Sequence, residues 1–104
     1  MTDIEIIKKC ADRMDYKVAL DIHGTFFFVT DGTKQPERHD YNPLTDDAQA
    51  MALVKKFGLI IEPDGVMPTT EWWVQVWVSD EIRCTGFANK DLNRAICECV
   101  ARLP

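Results

Sequence analysis

Two histidines are the first residues in this chain whose type could support catalysis. His23 follows Asp21 by two positions, and a carboxylate that orients an imidazole would make a general base. The same two residues stand beside Gly24 in a segment typical of a turn, where Asp and His occur for turn reasons alone. The turn interpretation is the stronger one, and we predict no catalytic residue.

A second group of polar residues precedes a predicted helix. His39, Asp40, Asp46 and Asp47 could form a metal site, but their spacing matches no ligand motif. The aspartates are better explained by the positive end of the helix dipole. The five glycines are dispersed, so no phosphate-binding loop is predicted. We therefore predict neither a metal nor a cofactor.

The four cysteines could act as nucleophiles, metal ligands or disulfide partners. Cys97 and Cys99 are two residues apart on a predicted helix, so they project about 200° apart and cannot bind one metal ion together. Cys10 and Cys99 fall in apolar stripes, and Cys84 falls in a strand. A reducing compartment favours free thiols. The pattern therefore predicts structural thiols.

The tryptophans are the best candidates for a binding surface. On the predicted strand Thr70 to Ser79, alternation places Trp73, Gln75 and Trp77 on one face. This face mixes aromatic rings with a polar group, as protein interfaces do, and its two rings lie roughly 13 Å apart. Burial of this face as core under a helix is the favoured interpretation, and an interface, most simply that of a homodimer, and a small-molecule pocket are the alternatives. Lys and Arg are absent between Thr70 and Ile82, which disfavours a stacking platform for single-stranded nucleic acid.

Three amphipathic helices must position these residues. The first runs from about Asp3 to Met14, with Thr2 and Glu5 at capping-box spacing. Its apolar face holds Ile4, Ile7, Cys10, Ala11 and Met14.

The second helix is marked at both ends, since Thr45 is placed to cap it and Gly58 can adopt the left-handed conformation that stops it. Phe57 is predicted to be a buried aromatic residue on this helix. The third helix runs from about Lys90 to Leu103, with Asn89 as its cap.

Five strands complete the predicted order α-β-β-α-β-β-β-α. They are Tyr16 to Ile22, Thr25 to Thr30, Leu59 to Glu62, Thr70 to Ser79 and Glu81 to Gly86. His23-Gly24 is predicted to connect the first two as a hairpin, and the Ser79-Asp80 corner the last two. Asp31 to Asn42 is predicted to be a polar loop, and Pro63 to Thr69 a turn region.

The central strands do not alternate between apolar and polar residues, as Phe26 to Val29 and Trp72 to Val74 show. A sheet with one solvated face would alternate, so both faces are expected to be covered. Helices divided between the two faces would supply that cover. We therefore predict an α+β fold, a three-layer α/β/α sandwich with a mostly antiparallel sheet.

Length and charge restrict the function classes. The chain has 104 residues, which predicts one domain, 1–104. Its net charge is −5, and its positive residues are scattered, so direct nucleic-acid binding is disfavoured. No apolar run approaches the roughly 20 residues that span a bilayer, and the N-terminus has acids rather than a basic region before an apolar core. These features predict a cytoplasmic protein without membrane contact.

Several of these segments resemble one known family. An aromatic-x-Pro-x-Thr-Asp-x-Ala-Gln run begins at Tyr41 and leads into a helix, and Asn-Arg-Ala-Ile spans Asn93 to Ile96. Together with the opening Thr2 to Met14, they are similar to a family of small phage and prophage proteins named for its alpha-beta-alpha (ABA) sandwich domain. The resemblance spans nearly the whole chain. It implies a phage-type origin in a bacterial host and a layered fold, and no activity or site residue.

The leading functional hypothesis is a non-enzymatic phage accessory protein that acts by protein–protein contact. Its partner would be an unidentified protein or a second copy of the chain. One alternative is a small-molecule binder or small enzyme that uses the 31–42 and 63–69 loops, with a pocket in which His23, His39, Asp40 or Asp64 converge. A second alternative is an acidic inhibitor of a host nucleic-acid-binding protein.

Overall fold

The computed structural model describes the backbone of residues 1–29, 39–64, 71–78 and 81–103, and the side chains of these residues other than 39, 64, 77, 78 and 81–88. The helices are α1 (Asp3–Arg13), α2 (Asp47–Phe57) and α3 (Leu92–Ala101). The strands are β1 (Val18–Leu20), β2 (Phe27–Val29), β3 (His39–Tyr41), β4 (Ile60–Asp64), β5 (Glu71–Val78) and β6 (Glu81–Asn89).

The strands form two antiparallel sheets, with the orders β1-β2-β3 and β4-β5-β6. The α+β class and the predicted order of elements are confirmed, with one strand added. That strand is β3, in a segment predicted to be a polar loop, where His39 pairs with Val29 and Tyr41 with Phe27. A three-layer sandwich is compatible with these elements and stays a prediction.

Helix α1 begins as its sequence predicts. The hydroxyl of Thr2 accepts a hydrogen bond from the backbone N–H of Glu5 at 3.2 Å. Cys10 and Ala11 are buried, Ile4 and Met14 pack against the core, and the opposite face is exposed. Ile6, which the predicted stripe omits, is also fully buried.

Helix α2 ends as predicted but begins one residue later. Gly58 has φ 63°, the left-handed stop. The cap is Asp46, whose carboxylate accepts from Gln49 N–H at 3.0 Å, so the prediction of Thr45 as the cap is wrong. Asp46 has the same extended backbone and acceptor role, and its carboxylate carries a full negative charge at the positive end of the dipole. Phe57, predicted to be buried, is half-buried and packs against the core, whereas Leu53 is fully buried.

The side chain of Gln49 attaches this helix to β3. Its Oε1 accepts from the N–H of Asn42 at 2.7 Å, and its Nε2 donates to the carbonyl of Asp40 at 2.8 Å. Pro43 between these elements is fully buried. These contacts give a structural reason for the glutamine that ends the run from Tyr41 to Gln49.

Helix α3 lies at the centre of the packing and contacts α1, α2, β5 and β6. Because α3 has neighbours on several sides, it buries side chains on more than one face, including that of Cys97. Its cap is Asp91, which accepts from Arg94 N–H at 3.4 Å, so the prediction of Asn89 is wrong. Asn89 instead accepts from the N–H of Asp91 at 2.8 Å and shapes the turn before the helix.

The strand limits differ from the prediction at several ends. The strand β1 covers three residues of the predicted Tyr16 to Ile22, because the hairpin turn already begins at Asp21. The strand β4 continues through Pro63 and Asp64, which were assigned to a turn and instead pair with Trp72 and Glu71. The strands β5 and β6 pair antiparallel up to Val78 and Glu81, and the predicted Ser79-Asp80 corner lies outside the described residues.

Candidate interaction surfaces

The β1–β2 hairpin is organised by one carboxylate. The side chain of Asp21 accepts from the backbone N–H groups of Thr25 at 2.6 Å, Phe26 at 3.1 Å and His23 at 3.3 Å, and from the Thr25 hydroxyl at 3.0 Å. Gly24 has φ 66° and donates its N–H to the carbonyl of Asp21 at 3.0 Å. A hairpin tip held in this way is fixed in shape.

These hydrogen bonds also set the ionisation of Asp21. Desolvation opposes the charged form, but the hydrogen bonds from Phe26, Thr25 and His23 outweigh it and lower the pKa of the carboxyl below its usual value. The hydrogen bond between Asp21 and His23 is made by the backbone of His23. The turn interpretation of this pair therefore accounts for its geometry.

Exposed apolar side chains are concentrated beside this hairpin. Tyr16 is 39% exposed, Leu20 is 43% exposed and Ile22 is 95% exposed. Among the described residues, only Met1 and Met51 are other large hydrophobic residues of this class. Residues 16–22, which we call the contact segment, therefore present three of five such side chains within seven residues.

An open groove lies at the start of the contact segment. It has a volume of about 330 Å³ and is lined by Lys8 and Asp12 of α1 and by Asp15, Tyr16, Lys17 and Val18. The chain reaches this point through Asp15, which has φ 62°, a conformation that Asp tolerates better than most residues. The groove thus lies between the end of α1 and β1, with charges of both signs on its walls.

Tyr16 connects the groove to the core. Its ring packs edge-on against the ring of Tyr41, with 5.5 Å between the ring centroids. Tyr41 is buried, and its hydroxyl has no hydrogen-bond partner among the described residues. Burial, together with the nearby Cys10, Cys97 and Tyr16, raises the pKa of this phenol. The residue behind Tyr16 is therefore a buried tyrosine that stays protonated.

The outer face of the β4-β5-β6 sheet carries the predicted interface. Trp73 and Gln75 are both half-buried, and Trp73 Nε1 donates to Gln75 Oε1 at 3.4 Å. Val74 is fully buried on the opposite face, so the predicted alternation is present in the described part of the strand. The side chain of Trp77 lies outside the described residues. The face stays a possible interface. The pairing of β5 with β6 has a register shift between Val74 and Val76, beside Gln75.

Three cysteine side chains are described, and all are fully buried. The Cys10 thiol donates to the carbonyl of Cys97 at 3.4 Å. The hydrogen bond with Cys10, followed by burial, raises the pKa of Cys97, which opposes formation of a reactive thiolate. Packing therefore accounts for these thiols.

Two of the four polar residues considered for a metal have structural partners. Asp46 caps α2, and Asp47 accepts from Asn93 Nδ2 at 2.8 Å. Within the described side chains, no group of three or more His, Cys, Asp or Glu residues is placed to hold a metal ion. Residues 30–38 and 65–70, which make up most of the two predicted site loops, lie outside the described residues, as do the side chains of His39 and Asp64.

Acidic residues on the described surface are interspersed with basic ones. Lys8 pairs with Asp12 at 2.6 Å, and Arg94 contacts both Asp3 at 2.5 Å and Glu98 at 3.4 Å. Such mixing reduces the continuous negative field that a nucleic-acid mimic needs.

No protein-family model matches the chain, and no match was found among curated proteins or solved structures. None of the described helices is long and apolar enough to cross a lipid bilayer. Sequence reasoning placed the contact segment in a strand and hairpin but did not recognise it as a surface. The signal was Ile22, an isoleucine at a turn position that normally holds a polar residue.

Proposed function

We propose that this chain is a non-enzymatic accessory protein of phage or prophage origin that acts in the bacterial cytoplasm by protein–protein contact. The origin and location rest on the resemblance and composition described above. The observation that carries the function is the contact segment, in which Ile22 is 95% exposed at the tip of a hairpin.

An isolated exposed apolar side chain is ordinary, but a rigid cluster of them is not. The hydrogen bonds to Asp21 fix the hairpin, so Ile22 is held in water in a defined position. Covering such a side chain removes apolar area from water with little loss of backbone entropy. A protein partner gains affinity from this arrangement.

The Trp73–Gln75 face is a second surface for the same function. Its half-buried ring and amide have the mixed character of an interface, and it lies on a different sheet from the contact segment. Because the two surfaces lie on different sheets, a substitution in one leaves the other unchanged, and the contribution of each surface to binding can be tested separately.

The alternatives have less support. Of the four residues expected to converge in an enzyme pocket, the two with described side chains, His23 and Asp40, do not line the groove beside β1. The ion pairs of Lys8 and Arg94 count against an acidic inhibitor.

The experiment compares the same substitution at two exposed apolar residues. Full-length protein is tested for self-association by sedimentation velocity and for capture of proteins from a bacterial host lysate, as wild type, Ile22→Asp and Met51→Asp. Met51 is 43% exposed on α2 and serves as the control. We expect Ile22→Asp to abolish an association that Met51→Asp retains.

The Trp73→Ala variant tests the second surface in the same assays. Loss with Trp73→Ala alone would assign the contact to the β4-β5-β6 sheet. If the wild type associates with nothing, or all three variants behave alike, the proposed function is wrong.

A further inference from the structure

The edge strands β4 and β1, one in each sheet, differ in how they are protected against pairing with another chain. The strand β4 has the sequence Ile-Ile-Glu-Pro-Asp, with Glu62 and Pro63 exposed. Proline and charge on an edge strand discourage pairing with another chain. The strand β1 has the sequence Val-Ala-Leu and carries neither device. Within the described residues, no strand pairs with its outer edge.

The hydrogen bonds of the hairpin show which backbone groups of β1 point toward its outer edge. The N–H of Asp21 donates to the carbonyl of Phe26 at 2.9 Å, so Asp21 faces β2. Because antiparallel strands alternate, Ala19 also faces β2, whereas the N–H and C=O groups of Val18 and Leu20 face outward. The edge therefore offers two donors and two acceptors at the spacing of a β ladder.

We propose that a second copy of this chain occupies the edge, with β1 pairing antiparallel to β1 of that copy about a two-fold axis at Ala19. This inference rests on the proposed function and names its partner. Val18 then lies opposite Leu20 of the second copy as a hydrogen-bonded pair, and Leu20 lies opposite its Val18. Ala19 lies opposite Ala19 as a non-hydrogen-bonded pair.

The flanking residues are complementary in the same register. Lys17 lies opposite Asp21 of the second copy. Each such contact occurs twice because the axis is two-fold. Opposite charges across antiparallel strands stabilise pairing, and like charges would oppose it. Residues 17–21, Lys-Val-Ala-Leu-Asp, are thus matched to their own reverse in charge and polarity.

The same register also determines where Ile22, the exposed side chain at the hairpin tip, lies relative to the second copy. Ile22 lies in the turn just beyond the paired residues, near Tyr16 of the second copy, which lines the groove of about 330 Å³. Ile22 is the most exposed of the large hydrophobic side chains that the structure describes, and the groove is bounded in part by the aromatic ring of Tyr16 and by Val18. Pairing therefore covers Ile22 of each copy at the groove of the other.

The assembly closes on itself. Two three-stranded sheets become one six-stranded sheet, and the β1 edge of each copy is used in the pairing. The remaining outer strands are the two copies of β3, so each copy pairs through β1 once. A discrete dimer is the expected product.

Cross-linking at the axis tests this pairing. A non-hydrogen-bonded pair places the two Cα atoms about 4.5 Å apart, within the range that a disulfide spans. Ala19→Cys protein is incubated with glutathione disulfide, and dimer formation is followed by non-reducing electrophoresis. Each protein disulfide formed reduces one glutathione disulfide to two glutathione molecules.

The controls are wild type and Met51→Cys, which places a new thiol on an exposed helix. We expect Ala19→Cys to cross-link at least about tenfold faster than Met51→Cys, because pairing raises the effective thiol concentration. Equal rates would overturn the inference.

A second variant separates pairing from folding. Leu20→Pro removes an outward N–H and leaves the inner ladder of β1 and β2 intact, since proline is accepted on edge strands. We expect it to keep the melting transition of a folded protein and to sediment as a monomer. An unchanged dimer fraction would overturn the proposed pairing.

The outcomes distinguish the inference from the function on which it rests. A monomeric wild type that captures another protein through Ile22 sinks the second-copy proposal, retains the proposed function and points to an extended strand of that protein. A monomeric wild type with no Ile22-dependent partner sinks both.

Discussion

Helix α3 and the contact segment use apolar side chains in opposite ways. In α3, Ile96 is 1% exposed and Val100 is fully buried, because α1, α2 and the second sheet all pack around this helix. In the contact segment, Leu20 is 43% and Ile22 95% exposed. The same residue types therefore stabilise the fold in one region and leave apolar area in water in the other.

This difference separates stability from binding. Substitutions in α3 should reduce the free energy of unfolding, whereas substitutions in the contact segment should reduce association and leave unfolding almost unchanged. Each prediction below tests one side of this separation, in order of decreasing effect on stability.

Ile96→Ala should have the largest effect. Removing a fully packed aliphatic side chain leaves a cavity, so we expect a loss of about 2–5 kcal/mol in urea-induced unfolding. The fraction of dimer among folded molecules should not change. A loss below about 1 kcal/mol would mean that α3 is not the centre of the packing.

Asp46→Ala should have an intermediate effect. It removes the acceptor for Gln49 N–H, so we expect a loss of about 1 kcal/mol in thermal or urea unfolding. Thr45→Ala is the matched control, since the described contact of the Thr45 hydroxyl is with the Asn42 carbonyl at 3.5 Å. The control should change stability by less than about 0.5 kcal/mol. The reverse ranking would restore Thr45 as the cap.

Lowering the pH should weaken the hairpin tip through Asp21. Its pKa in the folded protein lies below the usual value of 3.8, so its stabilising contribution is complete above that pH. The contribution is lost as the pH falls through the folded-state pKa, because the protonated carboxyl accepts the tip N–H groups more weakly.

Carboxyl-carbon NMR titration of the protein and of a peptide copying residues 20–26 would measure this shift. We expect the lower midpoint in the protein. Equal midpoints would show that the hairpin does not stabilise the charged carboxylate.

Ile22→Ala should have the smallest effect on stability. Because Ile22 is 95% exposed, we expect a change within about 0.5 kcal/mol in urea unfolding. The dimer fraction in sedimentation velocity should nevertheless fall. Loss of both stability and association would mean that Ile22 supports the fold of its own chain.

The helix limits show what local sequence predicts well. The capping contact of Thr2 and the left-handed Gly58 depend on residues within one turn, and both are present. The choice between neighbouring caps, Asp46 over Thr45 and Asp91 over Asn89, depends on where tertiary packing lets the first turn begin. That choice has no local signature.

Long-range arrangement was less accessible from the sequence. The strand β3 has no apolar run, and Gln49 and the pairing with β2 hold it in place. The division of strands between two sheets is likewise set by pairing between distant residues. The Trp73–Gln75 face was located from alternation alone, whereas the exposure of Ile22 required the hairpin geometry that Asp21 imposes.

The most direct test of the account is an isotope-filtered NOE spectrum of an equal mixture of labelled and unlabelled protein at about 1 mM, where even weak dimers are populated. The account predicts cross-peaks between the Val18 methyl groups of one copy and the Leu20 methyl groups of the other. A spectrum with no signals between copies that involve β1 would contradict it.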